Sequence, residues 1–507
     1  MLTVNENKKW FPMTVAIVVC LAFGGLARAS WVQQQKLTAL DGAAHDLFGF
    51  PVRISGNYAI VGAYADYNYT GSAYIFYFDG TNWTQQQKLA ASDRAAGDYF
   101  GQSVSISGNC ATVGAFGYDG YSGSAYIFYF DGTSWVQEQK LLAPDGAGSD
   151  WFGYSVSVSG NYAIVGAPRD DDKGTRSGSA YIFYFDGTNW VQQQKLTASD
   201  GTANDVFGCA VSISGDYAIV GAYGDDDKGT DGGSAYIFYF DGTSWTQQVK
   251  VTASDGAAGD HFGEYAVSIS GSYAIVGARY ADPCGTNSGS AYIFYFDDIG
   301  WTEQQKLTAW DGAAGDEFGL GVCISGDSAI VGAWRDDVLG LVDCGSVYIF
   351  YFDGTSWVQE QKLLAPDGAA GDYFGVSVCI RPDNLIVGAY RDDDRGHDSG
   401  SAYVFTLGVP PPDILTLLDP YSGEVLVAGS TCDITWVTKG IVEYVFIEYS
   451  TDSGSTWTVI DMVPNTGSYQ WEVPEENSQH CLVCISDGSD PAVNDVSDAV
   501  FRIYTAR

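Results

Sequence analysis

Seven copies of one block dominate this chain, and a repeat of that length leaves few architectures open. A Trp-x-Gln-x-Gln-Lys-Leu-like element begins at Trp31, Trp83, Trp135, Trp190, Trp245, Trp301 and Trp357, at spacings of 52, 52, 55, 55, 56 and 56 residues. Each copy continues with Phe-Gly (Phe48 in the first, Phe374 in the last), Gly-Ala (Gly62 to Gly388) and a GSAYIF-like run. Units of this kind bury their apolar faces only by stacking on their neighbours.

Within one copy, period and turn chemistry predict four strands. The third copy reads YSVSVSG, NYAIVGA, GSAYIFYF and WVQQQKL, joined through SGN, PRDDDKGTRS and DGTN. The SGN and DGT links suit tight hairpins, because Gly, Asn and Asp tolerate positive φ, so adjacent strands are antiparallel. SVSVS alternates sharply, whereas AYIFYF is nearly continuous in bulky β-formers, as in a strand covered on both faces. The fourth strand, rich in Gln and carrying a Lys, reads as an outer edge made unattractive to other strands. Four strands per unit in an all-β chain predict a seven-bladed β-propeller over 30–408. Trp31–Leu37 is a fourth-strand element with no blade of its own, and the last copy stops after its third strand at 401–407. The N-terminal strand is therefore expected to complete the last blade.

At Phe-Gly and Gly-Ala the sequence resembles the FG-GAP repeat family, whose best-known members are the propeller heads of integrin α chains. FGYSVSV, IVGAP and GSAYIF in the third copy carry the fullest match, and the resemblance spans about residues 31–407. It implies an extracellular propeller used for recognition. In the integrin form a D-x-D-x-D-G-x-x-D calcium loop lies between the two motifs. Here that interval holds only SGN, SGD or SGS in six copies, too short a turn for six or more oxygen ligands. The integrin calcium site is not carried over; no cofactor is expected, with Ca2+ kept as an alternative that the usual loop does not support.

Lys8 and Lys9, the apolar run Thr14 to Leu26 and Ala27-Arg28-Ala29 read as a signal peptide over 1–29, shorter than a membrane span. Its removal takes away Lys8, Lys9, Arg28 and Glu6, a net of +2, so the formal charge moves from -38 to -40. Nucleic acid is excluded as a partner, since phosphate binding draws on Lys and Arg. A secreted chain with an extracellular, cell-surface or periplasmic location is expected. Of ten cysteines, Cys20 lies in the signal, and two of the seven repeats carry none, so disulfides cannot be the main support. Cys284 with Cys344, in comparable loops of adjacent blades, and Cys432 with Cys484 are the candidate pairs. Cys323 and Cys379 read as small buried apolar residues.

Pro410 to Pro412 form a stiff spacer (409–412), after which the repeat vanishes. Residues 413–507 read as short alternating strands, a β-sandwich of immunoglobulin or fibronectin type. Ser450-Thr451-Asp452-Ser453-Gly454-Ser455-Thr456-Trp457 fits the Asp-box pattern of sialidase-like propellers, but it occurs once and outside the propeller, so it reads as a self-bonded turn. The four histidines share no repeat position, and no nucleophile elbow, P-loop or HExxH occurs.

Acidic loops remain. Every copy carries D-x-x-x-x-D before x-F-G, from Asp41 and Asp46 to Asp367 and Asp372. Several add runs after Gly-Ala: Asp170, Asp171 and Asp172; Asp225, Asp226 and Asp227; Asp336 and Asp337; Asp392, Asp393 and Asp394. Alternating strand direction puts both loops on one side of the ring. Two readings stand side by side, carboxylates that tie their own turns or a surface for cations or basic ligands. The function expected is a binding or adhesion scaffold that engages an extracellular protein or glycan through this face and is not an enzyme. A propeller hydrolase or lyase and a passive envelope protein are the alternatives.

Overall fold

The computed structural model describes residues 30–505 except 339, 409–413, 421–423, 440–441, 443, 489–490, 492 and 498, so the predicted signal and the Pro-rich spacer lie outside the described residues. Trp31–Leu407 forms one compact unit and the chain from Gly408 onward another. In the first repeat Val52–Ser55, Tyr58–Ala63, Ser72–Phe78 and Trp83–Leu89 pair in that order, and five further sheets repeat the pattern. The seventh sheet takes Phe374–Ile380, Asn384–Ala389 and Ser401–Leu407 from the last copy and Trp31–Leu37 from the start of the array. Trp31 stands opposite Leu407 and Leu37 opposite Ala402, which is the expected clasp. The innermost strands touch blade to blade around the whole ring, the seventh against the first included.

The repeated motifs fill the junctions. Phe100 is fully buried with Tyr126 and Phe128 edge-on to it at 5.5 and 6.0 Å, and every blade repeats this trio. Backbones meet where Gly-Ala of one blade faces Phe-Gly of the next. A Cβ on Gly62 would lie 2.2 Å from the carbonyl oxygen of Gly101, which itself has φ +92°. Only glycine on both sides permits that approach.

Two side-chain seams join the blades further in and further out. Near the axis Ser105, Ser157, Ser212 and Ser268 each accept the backbone N–H of the next blade's inner strand, at 3.0–3.2 Å. Cys323 Sγ takes the same role toward Ile380 N, and it lies 3.8 Å from Cys379 Sγ. These two thiols are buried as expected, yet they are part of the seam and not only filler. On the periphery Gln35 Oε1 accepts Trp83 N–H at 2.8 Å while its Nε2 donates to Trp83 O at 2.6 Å. Gln87, Gln139, Gln194, Gln305 and Gln361 repeat this amide clamp. The fourth strand is thus a fastener for the following blade as well as an edge. Val249 occupies the clamp position in the fourth blade, so the backbone of Trp301 has no amide clamp opposite it.

Beyond the propeller, a sheet of Ile414–Asp419, Thr431–Lys439 and Ser468–Glu472 and a second one built on Tyr444–Ser450 and Ser478–Asp487 enclose one core around Ile434, Trp436, Ile447, Trp471 and Ile485. The nine described cysteines are all free thiols, so neither candidate disulfide is formed. Cys481, Val483 and Ile485 are fully buried on the core side of their strand, which turns the half-buried Cys484 outward, away from the sheet that carries Cys432. Cys344 is buried against Asp336 O and Val338 O of its own loop, whereas Cys284 is exposed.

Replacing Gln139 with Leu removes both bonds of one clamp and should lower the unfolding free energy by about 1–2 kcal/mol, while Val249→Gln should raise it by about 1 kcal/mol by supplying the missing clamp. Chemical denaturation of the two variants beside the parent tests both signs, and a Val249→Gln protein no more stable than the parent would count against the clamp.

Candidate functional site

The acidic loops before Phe-Gly and after Gly-Ala meet on the fourth-strand lysines, so their carboxylates are already engaged. The second Asp of each D-x-x-x-x-D pair accepts the N–H three residues before it, from Ala43 to Asp46 at 2.7 Å through Ala369 to Asp372 at 2.6 Å, in all seven blades. The first Asp of each pair takes the lysine ammonium of the fourth strand: Lys88 on Asp41, Lys140 on Asp93, Lys195 on Asp145, Lys250 on Asp200, Lys306 on Asp255, Lys362 on Asp311 and Lys36 on Asp367, at 2.6–2.9 Å. In six blades the hydroxyl of the buried third-strand tyrosine donates to the same carboxylate.

The runs after Gly-Ala complete this arrangement. Asp170, Asp225, Asp336 and Asp392 are buried and also accept from the lysine, at 2.7–2.9 Å. Asp171, Asp226, Asp337 and Asp393 close the loop by accepting the N–H of Arg176, Asp231, Asp343 and Asp398. Asp172, Asp227 and Asp394 come from the exposed side onto the same ammonium at 2.5–2.6 Å. In three blades the three carboxylates have ligand oxygens within 4.8 Å of one another, a metal-like cage with Lys Nζ at its centre. An internal cation stands where a bound one could have been.

Burial opposes ionisation of Asp41, Asp145 and Asp367, yet the lysine and tyrosine bonds hold these carboxyls below the usual range. Burial likewise opposes the charge on Lys36, Lys195 and Lys250, and the surrounding carboxylates override it, raising each lysine. Asp316 and Asp372, second in their pairs, accept only from the backbone, so burial prevails and pushes both up to about 6.

Sequence reading missed the centre of this face. Residues that flank Phe-Gly and Gly-Ala form a half-exposed aromatic belt. Trp334 packs on Tyr373 at 4.7 Å, Tyr373 on Tyr390 at 5.7 Å and Tyr390 on Phe50 at 5.8 Å. Phe50 continues to Tyr64, Tyr64 to Tyr99, Tyr99 to Phe116 and Phe116 to Trp151 at 4.9–6.4 Å. Arginines lie on it: Arg169 is 3.3 Å from the Trp151 centroid, and Arg279 is 4.3 Å from that of Tyr280. Buried Glu317 bridges Arg279 and Arg335 at 3.2 and 3.1 Å and accepts from Trp334 Nε1 at 3.0 Å. Trp151, Tyr154, Arg169, Arg176, Asn204 and Glu264 line a recess of about 180 Å³ within the belt.

The histidines are less scattered than their positions implied. His45 and His397 bring both Nδ1 atoms to 3.3 Å from Asp398 Oδ2 at the junction of the last and first blades. No shared repeat position links them, so only the ring closure reveals the pair. The Asp-box stretch is the self-bonded turn expected, with Asp452 accepting from Thr456 N–H and Gly454 N–H donating to Ser450 Oγ, both at 2.8 Å.

Lys195→Met strips the cation from three carboxylates and should cost about 2–3 kcal/mol, less than a fully buried pair because the lysine is partly exposed. Millimolar calcium should restore part of that loss in the variant, whereas neither calcium nor a chelator moves the parent's melting midpoint; thermal melts in each condition decide it. For pH, Asp372 keeps its proton in the folded protein up to about 6 and loses it near 3.9 when unfolded. The folded state binds more protons between those values, so this group lowers stability as pH rises from about 4 to about 6. Asp372→Asn should flatten that decline in melting midpoint, and an unchanged slope would contradict the assignment.

The FG-GAP repeat family matches residues 31–76, 83–128, 135–183, 190–238, 245–294, 301–350 and 357–405, all seven blades. Among solved structures the chain is similar to the β-propeller domain of the Trilobed protease from Pyrococcus furiosus, at 10% identity and a TM-score of 0.38 over 69% of this chain and 91% of that one. It is also similar to Porphyromonas gingivalis dipeptidyl peptidase 4, at 10% identity and a TM-score of 0.31 over 74% of this chain and 58% of that one. Repeat by repeat, with the two glycine motifs mating at the blade junctions, this chain belongs to the FG-GAP repeat family.

Proposed function

We propose that the chain is a recognition scaffold working outside the cytoplasm, which binds a glycan or a protein segment on the propeller face carrying the Gly-Ala and inter-blade loops. The observation that carries this reading is the aromatic belt with arginines stacked on it. Large aromatic rings left half in water beside planar guanidinium groups are the side chains that dominate binding hot spots, and their flat faces suit sugar rings and extended peptides alike. The repeated carboxylates serve this function indirectly. Their lysine and backbone bonds set the loops that hold the belt, and the exposed Asp171, Asp226, Asp337 and Asp393 add a negative rim that steers basic ligands.

Several features agree with this reading over a hydrolase or lyase on the same face. Glu264 and Glu317, the acids nearest the belt, are tied to Arg279, and burial of Glu264 is outweighed by His261 and Arg279, which keep it ionised. The carboxyls that burial does raise, Asp316 and Asp372, lie in the turns and accept from their own backbone. Among the described residues no helix is long and apolar enough to cross a membrane, which is compatible with an extracellular role. In our reading the C-terminal unit is a sandwich of immunoglobulin or fibronectin type that spaces or anchors the propeller, supported by its two sheets around one core.

A glycan array followed by calorimetry on the strongest ligand tests the proposal. Trp151→Ala and Tyr373→Ala should each weaken binding about tenfold or more, a loss of about 1–3 kcal/mol. Affinity indifferent to both substitutions, or no ligand among glycans and extracellular protein fractions, would overturn it.

A further inference from the structure

We infer that the end of the axial channel opposite the aromatic belt is a binding site for a tetrahedral oxyanion, phosphate or sulfate, free or carried as an ester. The inner strands end there at the Ser-Gly turns, and their side chains form two rings around a void of about 230 Å³. The first ring holds the four seam serines, Cys323, Cys379 and, in the first blade, Arg53. The second holds serine in six blades, Ser55 to Ser325, and Arg381 in the seventh.

Both rings line the void with side chains that keep hydrogen-bond donors unused. The seam serines accept a backbone N–H from the next blade, and in the second ring Ser55, Ser107 and Ser159 accept from Gly108, Gly160 and Gly215 at 3.2–3.3 Å. Accepting uses an oxygen lone pair and leaves the hydroxyl hydrogen free, and among the described residues none of these hydroxyls donates to a protein acceptor. The oxygen side of each serine is committed to the fold, and its hydrogen side is available to a ligand.

Charge then selects the ligand. Arg53 Nη1 donates to Val52 O at 2.8 Å and Arg381 Nη1 to Ile380 O at 3.0 Å, and the Cys323 thiol also lies on the Arg381 guanidinium, which leaves most of the five donors on each unused. Among the described residues neither has a carboxylate within ion-pair distance, and no Asp or Glu lines the void. In a chain of formal charge -38 two unpaired guanidiniums facing one cavity are a local reversal of sign. Two forked cations and surrounding hydroxyls match an oxyanion with several oxygens better than a single-atom anion. At about 30 Å³ per water the void admits such an ion with part of its hydration.

The site lies on the other face from the belt, so its test is independent of the proposed function. Isothermal titration of the purified chain with inorganic phosphate, sulfate and a monosaccharide phosphate should show saturable binding of one ion per chain. Arg53→Ser and Arg381→Ser install the residue that other blades carry in the same rings, so both variants are compatible with the seam, and each should weaken phosphate binding about tenfold or more. Trp151→Ala, on the far face, should leave it unchanged. Equal affinity for the ester identifies a phosphate group presented end-on by a larger molecule, and binding of the free ions alone identifies the ions as ligand; both support the site. No saturable binding, or binding that survives both arginine substitutions in variants with the parent's melting behaviour, would overturn it.

Discussion

Backbone touches backbone at each junction of this ring, where the glycine of Gly-Ala in one blade meets the glycine of Phe-Gly in the next. That contact sets how closely the sheets approach, and every other element of the repeat is placed by it. The buried phenylalanine sits under the third-strand tyrosine, whose hydroxyl reaches the acidic loop. The serine seam closes the axis and the glutamine clamp closes the rim. A side chain at either glycine would push two blades apart along their whole length, because the junction has no flexible partner to yield.

Lysine gives the acidic loops their character. Each fourth strand delivers one ammonium to the loop face, where it meets one to three carboxylates and the ring of a buried tyrosine. The dense negative charge read from the sequence is therefore organised charge, with a cation built into each blade. What remains for recognition on that face is the ring of aromatic residues inside the acidic perimeter.

The architecture could be read from the chain alone because it is repeated seven times, and each repetition corrects for local ambiguity. Strand order, the turn-forming role of the second Asp and the clasp by Trp31–Leu37 follow from such recurrence. The lysine–aspartate pairing did not emerge, since Lys195 and Asp145 lie 50 residues apart and Lys36 and Asp392 lie 356 apart. Glutamines judged only as edge protection turned out to bind the neighbouring blade. The belt was hidden for a different reason. Tyr64, Phe116, Arg169 and Tyr390 flank the shared motifs with residues that differ from copy to copy, and comparison of copies discards what differs. Arg53 and Arg381 escaped in the same way, Arg381 replacing a serine in an otherwise uniform ring and Arg53 standing in a ring of serines and two cysteines. In a repeat protein, shared positions specify the scaffold and unshared positions carry its chemistry.

The clasp also has a consequence for the order of assembly. Trp31–Leu37 is made first, yet its partner Ser401–Leu407 is made last among the blades, so this strand waits unpaired until the array is complete. The other six sheets close locally, and only the last unites distant parts of the chain. Its alternating glutamines and lysine keep the waiting strand wet and unsuited to pairing with a neighbouring molecule. Closure therefore serves as a check on completeness: a chain cut short anywhere in the array would leave Trp31–Leu37 solitary and the circle open.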